Sequence, residues 1–269
     1  MIQSVPNEAA IILTEYVHEL ASRLPNRVEG IYLHGSITLH AFDERSDIDF
    51  ITLINNPLSK EEKESVKAIH QQIAERYTSH QLEGAYLSKE EFGQNNHHSV
   101  PFYDGDEFIY DQPFYNHNPV TWWTLKHHGI TVFGKELKEI SFDDHSSVLV
   151  DYVKENMNSY WKNRFHSIKE LDYSKFPKES INAEIEWSVL GVLRQVYTIN
   201  EQKVTSKIEA GEYGLEILPH RWHDVIREAV RIRLGRDGSY YHSEEDRIHD
   251  FLTFLDYIFS NNTLEKSGV

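Results

Sequence analysis

The stretch from residue 31 to residue 54 constrains this chain most, because it places two carboxylates at the start of an otherwise apolar strand. It reads IYLHGSITLHAFDERSDIDFITLI: an apolar strand, a Gly-Ser turn, a polar connection and a second apolar strand. Side chains alternate along a strand, so Asp47 and Asp49 project to the same side. Two adjacent carboxylates repel each other and are costly to bury. A divalent cation relieves this repulsion, and carboxylate oxygens favour Mg2+.

Charge and composition narrow the classes of function. A chain of 269 residues with 39% hydrophobic content is globular and long enough for one large or two smaller domains. The formal net charge of -16 argues against a nucleic-acid partner, which needs clustered Lys and Arg, and allows a cationic ligand. The absence of cysteine excludes thiol chemistry and is typical of the cytoplasm. Without a signal peptide or membrane-spanning stretch, we expect a cytoplasmic protein that has no membrane partner.

Hydrophobic spacing divides the chain into two parts of different architecture. The first part should contain helices over residues 8–24, 59–77 and 120–128, strands over residues 28–34, 49–54, 82–87 and 130–134, and short strands near Phe102 and Phe108. The second part should contain helices over residues 148–169, 181–199, 206–211, 219–234 and 244–259. We predict an α+β domain with a mixed sheet over residues 1–142 and an all-α helical bundle over residues 143–269. A ligand cleft between two such domains is the default expectation.

A third acidic residue could complete, with the Asp-x-Asp pair, a site for phosphoryl or nucleotidyl transfer. Such reactions require charge neutralisation on the phosphates, in-line placement of the reactants and a base for the attacking hydroxyl. Asp47 and Asp49 can hold a pair of metal ions. Glu83 lies in the next predicted strand, 34 positions after Asp49. It can ligate a metal, accept the hydroxyl proton, or do both.

The turn before the Asp-x-Asp pair supplies groups that suit a phosphate. Gly35 and Ser36 offer exposed backbone N–H groups and a hydroxyl, and Ser46 can add a second hydroxyl beside the aspartates. A Gly-Ser turn alone is common, and so is Asp-x-Asp. Their combination with two apolar strands and a following acidic strand is much more specific, and it predicts a metal-dependent nucleotidyl-transfer site.

The predicted helix over residues 181–199 carries a mixed polar and aromatic stripe. Four of its residues share one face: Glu184, Trp187, Gly191 and Arg194. Gly191 costs roughly 1 kcal/mol relative to Ala in mid-helix, which indicates close packing, either at a helix crossing or against a ligand. A guanidinium beside a carboxylate and an indole suits a site for a phosphate and a cationic ring. The alternative for Arg194 is an ion pair within the bundle, with Glu184 or Glu186.

Taken together, these motifs resemble the aminoglycoside adenylyltransferases of the streptomycin and spectinomycin type, which belong to the polymerase-beta-type nucleotidyltransferases. The resemblance is carried by Gly35-Ser36, Ser46-Asp47-Ile48-Asp49, Leu82-Glu83, Leu193-Arg194, Tyr197 and the run from Lys203 to Lys207. It covers most of the chain at low identity. It implies transfer of AMP from ATP to a hydroxyl of an aminocyclitol antibiotic, with two Mg2+ ions and release of pyrophosphate.

The resemblance also implies roles for single residues. Asp47 and Asp49 would hold the metals and Glu83 would act as the general base. The cations that would bind the nucleotide phosphates are Arg194, Lys203 and Lys207.

The acceptor site departs from the family pattern. Family members that modify streptomycin carry a second acidic residue before the position of Glu184; this chain has Ser180 or a neighbour at that place. The family also has a Trp that stacks on the substrate, and the nearest aromatic residues here are Phe108 and Tyr110. Together with Glu184 and Trp187, these two aromatics are the candidates for acceptor binding. We expect a monomer that binds ATP and a cationic acceptor such as spectinomycin or streptomycin. The alternatives are a nucleotidyltransferase that modifies another small molecule or a partner protein, and a non-catalytic nucleotide-binding module.

Overall fold

The computed structural model describes residues 5–95 and 98–260. The chain divides into two compact units, Met1–Ser146 and Ser147–Val269, four residues after the boundary expected from the sequence. The first unit combines helices with a mixed sheet and the second is helical, so the predicted fold class is confirmed. None of the helices in the described residues is long and apolar enough to cross a membrane.

The first unit is built on a six-stranded sheet with the order β5-β4-β3-β2-β1-β6. Its strands are β1 (Val28–Leu33), β2 (Ile48–Ile54), β3 (Leu82–Ser88), β4 (Phe102–Asp104), β5 (Phe108–Ile109) and β6 (Ile130–Gly134). Its helices are α1 (Asn7–Arg23), α2 (Lys60–Arg76) and α3 (Pro119–His128). Strands β2 and β3 run parallel, and the other neighbours are antiparallel. Helix α2 makes the crossover that a parallel pair requires.

The two faces of the sheet pack against different helices. Strand β2 is buried along its length except at Asp49, and its alternate residues enter two separate cores. Phe50 packs with α1 and α2, whereas Ile51 packs with Trp122 of α3. Because residues two positions apart share a face, Asp49 lies at the end of the α3 side of the sheet.

The second unit consists of six α-helices in the described residues. They are α4 (Ser146–Asn156), α5 (Lys162–Ile168), α6 (Lys178–Glu201), α7 (Lys207–Ile217), α8 (His223–Arg233) and α9 (Glu244–Ser260). Helix α6 is central, and its buried residues pack with those of α7, α8 and α9. Helix α7 extends beyond the predicted end at residue 211, because Gly211 and Gly214 pack in the helix interface with Val230, Leu193 and Ile226 rather than ending the helix.

The single helix predicted over residues 148–169 is interrupted by a π-helical turn at Met157–Trp161. This turn places the Trp161 ring against α6. A Cβ atom added to Gly191 would lie 2.1 Å from Cη2 of Trp161. The close packing inferred for Gly191 is therefore made with an aromatic ring, and glycine is needed because any side chain would occupy the space of the indole.

We expect Gly191→Ala to lower the free energy of unfolding by about 2 kcal/mol, although alanine is the better helix former. Overpacking a core typically costs about 1–3 kcal/mol, and the added methyl group would overlap the Trp161 indole that packs against α6. The helix-propensity gain of roughly 1 kcal/mol offsets only part of the clash. Urea denaturation measures the change, with Ser180→Ala on the exposed start of the same helix as the control. An unchanged or increased stability of Gly191→Ala would show that the ring moves aside freely.

Candidate active site

Strand register brings three carboxylates into a row on the α3 face of the sheet. Asp49 of β2 pairs directly with Glu83 of β3, and Glu83 pairs with Asp104 of β4. Directly paired residues in neighbouring strands project to the same face. We call Asp49, Glu83 and Asp104 the acidic row. Asp104 was missed by the sequence reasoning, because its place beside Glu83 depends on strand pairing that a local pattern does not reveal.

Asp47 lies one residue before β2 and is exposed. Its neighbour Ser46 is buried, with its hydroxyl donating to Oδ1 of Asp43 at 3.0 Å and accepting from the Asp43 backbone N–H at 3.1 Å. The Ser46 carbonyl is 2.8 Å from Nδ1 of the buried His80. These contacts fix the direction in which the chain enters β2, and the phosphate contact predicted for Ser46 stays a prediction.

The Gly35-Ser36 turn packs directly on Asp49. Gly35 has a φ of +69°, and a Cβ added to it would lie 1.9 Å from Oδ2 of Asp49. The His34 backbone N–H also donates to the Asp49 carbonyl at 3.1 Å. Glycine is required here both by the left-handed backbone and by the close approach of the carboxylate. The turn that the sequence offered as a phosphate contact is thus a wall of the same site as Asp49.

The electrostatics of the acidic row centre on Glu83. Burial raises the pKa of Glu83 to about 7; a hydrogen bond from Tyr115 opposes the shift, and the charges of Asp47 and Asp104 reinforce it. Asn116 donates a second hydrogen bond to the same carboxylate. A carboxylate whose pKa lies near neutrality is well matched to accept a proton at physiological pH.

The donor chemistry of this site fits a divalent cation. Asp47, Asp49 and Glu83 are all oxygen donors, and the charge of Asp47 adds to the burial that raises the pKa of Glu83. Because Gly35 has no Cβ, the backbone of the turn can approach the Asp49 carboxylate closely. Within residues 5–95 and 98–260, no group of three or more His, Asp or Glu side chains is arranged so that it could hold a metal ion. The oxygen donors of Asp47, Asp49 and Glu83 nevertheless have the chemistry that Mg2+ prefers.

The second unit contains a cluster of cations around Glu186 of α6. Nζ of Lys207 is 3.0 Å from Oε1 of Glu186, and Nη1 of Arg233 is 3.8 Å from the same oxygen. Burial lowers the pKa of Lys207, the Glu186 carboxylate opposes this, and the nearby charges of Arg233 and Arg194 lower it further. We call Arg194, Lys207 and Arg233 the cation cluster. Such a group suits phosphate oxygens, because charge-assisted hydrogen bonds to phosphate are strong.

The sequence reasoning named Arg194 and Lys207 but missed Arg233, which comes from α8 and follows no motif. Nε of Arg194 donates to the Thr205 carbonyl at 3.0 Å, which ties α6 to the segment before α7. Lys203 lies exposed in that segment. Of the two carboxylates considered as alternative partners of Arg194, Glu184 and Glu186, Glu184 forms an ion pair with Arg164.

Glu184 and Trp187, the acceptor-binding candidates on α6, both contact Arg164. Two guanidinium nitrogens of Arg164 lie 2.5 and 3.2 Å from the Glu184 carboxylate, and its central carbon lies 4.3 Å from the Trp187 ring centroid. The Trp187 ring also packs on Trp161 of the π-helical turn, with centroids 4.6 Å apart. Arg164 was not anticipated, because it lies on α5 and meets α6 only through packing.

The two aromatic candidates in the first unit have different surroundings. Phe108 is buried in the core beside His70 and Tyr86, so its ring is not open to a ligand and we do not retain it as an acceptor contact. Tyr110 is 51% exposed, with Nζ of Lys63 5.2 Å from its ring centroid. The aromatic residue that touches the acidic row is Tyr115, which the sequence reasoning did not single out.

The helical unit also matches a known family. Residues 156–257 fit the model of the aminoglycoside adenylyltransferase C-terminal domain. This part of the helical unit is therefore similar to the C-terminal domain of that family, over less than half of the chain. The recognition of this enzyme family from the sequence motifs is thereby confirmed, and with it the prediction of a nucleotidyltransferase.

A solved structure resembles this chain over most of its length. It is the crystal structure of the spectinomycin adenyltransferase AAD(9) from Enterococcus faecialis with ATP and spectinomycin, which covers 93% of this chain and 99% of its own, with 17% identity and a TM-score of 0.66. At this identity the likeness shows the fold. A toxin-antitoxin structure with AMP-PNP covers 56% of this chain and 96% of its own with 13% identity, and its TM-score of 0.30 supports no inference. No curated protein matches the sequence significantly.

Proposed function

We propose that this protein transfers AMP from ATP to a hydroxyl of an aminoglycoside or aminocyclitol antibiotic, in a reaction that depends on Mg2+ and releases pyrophosphate. The observation that carries the proposal is the register that sets Asp49 beside Glu83, with Gly35 packed on the Asp49 carboxylate. The family of the helical unit supports the same reaction.

In the proposed reaction, Asp47 and Asp49 would hold two Mg2+ ions, with Glu83 as a further ligand or as the base. Mg2+ held there would supply charge neutralisation on the phosphates. Glu83 accepts the proton of the acceptor hydroxyl while the hydroxyl oxygen forms a bond to the α-phosphorus of ATP. The bond between the α-phosphorus and the bridging oxygen breaks, and pyrophosphate carries away that pair of electrons. The raised pKa of Glu83 suits this proton transfer.

We propose that the cation cluster binds phosphate oxygens of the nucleotide. Burial keeps Lys207 and Arg233 poorly hydrated, so a phosphate gains more from them than from exposed lysines. Glu186 holds both in place before the nucleotide binds. The exposed Lys203 would add a second amine to that of Lys207. In the first unit, we propose Gly35, Ser36 and Ser46 as phosphate contacts through backbone N–H groups and hydroxyls.

We expect Arg233→Ala to raise the KM for ATP about tenfold with a smaller effect on kcat. The lost charge-assisted hydrogen bond to phosphate is worth roughly 1.5–3 kcal/mol, and part of it is recovered by Lys207. Glu186 keeps its ion pair with Lys207 in this variant, so the fold should survive. Steady-state kinetics test the expectation, with Arg227→Ala on the exposed side of the same helix as the control. An equal KM for both variants would remove Arg233 from the nucleotide site.

The acceptor we propose is spectinomycin or streptomycin. A net charge of -16 and the acidic row favour a cationic acceptor. The structurally similar spectinomycin adenyltransferase was solved with ATP and spectinomycin. Tyr110 and Trp187 offer aromatic surface, whereas a cationic acceptor would have to displace Arg164 to pair with Glu184. We further propose that the protein is cytoplasmic and monomeric. Light scattering, which measures the molar mass in solution, tests the monomeric state.

The direct test is pyrophosphate release from Mg-ATP on addition of spectinomycin, streptomycin or a 2-deoxystreptamine aminoglycoside. We expect release with spectinomycin or streptomycin, with an acceptor mass increased by one adenylyl group. Omission of Mg2+ should stop it. ATP binding without release for any of these acceptors would contradict the proposed acceptor class, and absence of Mg-ATP binding in calorimetry would contradict the enzyme itself.

A further inference from the structure

We infer that Tyr115 and Asn116 are positioning residues, which hold one carboxylate oxygen of Glu83 and so present the other to the reacting hydroxyl. The inference rests on the proposed function, in which Glu83 receives the proton. The phenol of Tyr115 donates to Oε1 of Glu83 at 2.7 Å. The side-chain amide of Asn116 donates to the same Oε1 at 2.8 Å.

Both donors end on one oxygen, and this has a geometric consequence. Rotation of a Glu carboxylate about its last bond is broad and nearly two-fold, so an untethered group samples many orientations. Two donors on Oε1, from different side chains, fix that rotation. Oε2 then keeps its lone pairs for an incoming O–H group. Proton transfer requires the base within about 2.6–3.2 Å of the hydroxyl oxygen, so a fixed orientation has a direct effect on rate.

The segment that carries the two donors is itself anchored. Asn118 caps α3: its side-chain oxygen accepts the Val120 backbone N–H at 2.9 Å, and Pro119 occupies the first turn. The amide nitrogen of Asn118 donates to the Tyr115 carbonyl at 2.9 Å. The start of helix α3 and the position of Tyr115 are therefore coupled, as expected for a support that orients a reacting group.

Aromatic packing fixes the Tyr115 ring from the other side. Its centroid lies 5.2 Å from that of the buried Phe114 and 5.9 Å from that of the buried Phe102, the latter in an edge-on arrangement. The ring nevertheless remains 54% exposed. A tyrosine with so much exposed surface contributes little to the core, which leaves its hydrogen bond to Glu83 as the role that best accounts for its hydroxyl.

The local charges explain why such support is needed. Asp47 and Asp104 both repel the Glu83 carboxylate. Without donors, the Glu83 carboxylate would turn away from its acidic neighbours. Hydrogen bonds from Tyr115 and Asn116 oppose this rotation without introducing a positive charge that would compete with Mg2+.

The test is a pair of double-mutant cycles with the full chain. Tyr115→Phe and Asn116→Ala are made singly and together, each in the wild-type and the Glu83→Gln background. We expect each single variant to lower kcat about tenfold with the KM for ATP unchanged. In the Glu83→Gln background neither substitution should lower kcat further, because both act through Glu83. Tyr240→Phe, an equally exposed phenol in the helical unit, is the matched control and should leave kcat unchanged.

Several outcomes would overturn the inference. The first is that Tyr115→Phe has the kcat of the wild type. The second is that Tyr115→Phe lowers kcat as much in the Glu83→Gln background as in the wild type. The third is that calorimetry shows a loss of Mg-ATP affinity in the single variants as large as their loss of kcat. If the wild-type protein itself transfers no AMP, the proposed function fails instead. Urea denaturation of a separate cycle, between Tyr115→Phe and Glu83→Ala, then still decides the contact. Zero coupling between these two substitutions overturns it, because the hydrogen bond should couple the two positions.

Discussion

Asp49→Asn is expected to reduce AMP transfer at least a thousandfold, to the limit of detection. The substitution keeps the shape of the side chain and removes one negative charge from the position that Gly35 and Glu83 enclose. Metal-assisted stabilisation of a phosphoryl transition state is worth several kcal/mol, and about 4 kcal/mol corresponds to a thousandfold. Pyrophosphate release with saturating Mg-ATP and acceptor measures the loss.

The controls for Asp49→Asn separate metal binding from general charge. Asp47→Asn should lose activity to a similar extent, whereas the exposed Asp111→Asn, outside the acidic row, should remain within about twofold of wild type. Thermal unfolding of metal-free Asp49→Asn should show no loss of stability, because one repelling carboxylate has been removed. Full activity of Asp49→Asn would mean that the metals are held elsewhere.

Local patterns were sufficient for the elements that carry this site. Asp47 and Asp49 could be placed together because alternation in a strand needs no knowledge of the fold, and β2 is buried except at Asp49, as that pattern predicts. The capping box at Ser59 and the asparagine cap with proline before α3 set helix starts through contacts within a few residues. Such signals are readable because the interacting groups are close in sequence.

Residues that reach the site through long-range pairing were not predictable in this way. Asp104 meets Glu83 only because β4 pairs with β3 in one register, and Arg233 meets Glu186 only because α8 packs on α6. From the sequence, Gly35 was interpreted as a turn residue. Its close approach to the Asp49 carboxylate explains better why glycine is needed at this position. Each of these depends on which elements become neighbours, and hydrophobic spacing does not specify that.

The same distinction applies to the helical unit. The stripe predicted on α6 contains Glu184, Trp187, Gly191 and Arg194. The first three have Arg164 or Trp161 as neighbours, whereas Arg194 donates to the Thr205 carbonyl. The partners of that stripe, Arg164 and Trp161, depend on the π-helical turn, which shifts the side chains that follow it. A one-residue change in helical register has no clear signature in the sequence, so the predicted continuous helix was wrong there.

Glu83→Gln is expected to lower kcat by on the order of a hundredfold or more while Mg-ATP affinity stays nearly intact. The amide keeps an oxygen that can accept from Tyr115 and Asn116 but cannot take the hydroxyl proton. In the wild type, kcat/KM should rise with pH up to about 7, because the base must be unprotonated, and this rise should vanish in the variant. Calorimetric loss of Mg-ATP binding comparable to the loss of kcat would show that Glu83 is mainly a metal ligand.

The same substitution should stabilise the metal-free protein at alkaline pH. The folded state raises the pKa of Glu83 from 4.5 to about 7, so the folded protein binds a proton more tightly than the unfolded chain does. Such a group makes the free energy of unfolding fall as pH rises from about 4.5 to 7, with the full penalty present above 7. Glu83→Gln removes this penalty, so we expect it to be more stable than wild type by on the order of 2 kcal/mol at pH 8 and equal to it near pH 4.

Urea denaturation in the presence of a metal chelator at the two pH values measures this difference in stability. Glu90→Gln, which changes an exposed carboxylate just beyond β3, is the control. A Glu83→Gln variant that is inactive and also less stable than wild type at pH 8 would instead indicate a structural role for Glu83. A side chain that is kept for chemistry at a cost to the fold should, when replaced, increase the free energy of unfolding.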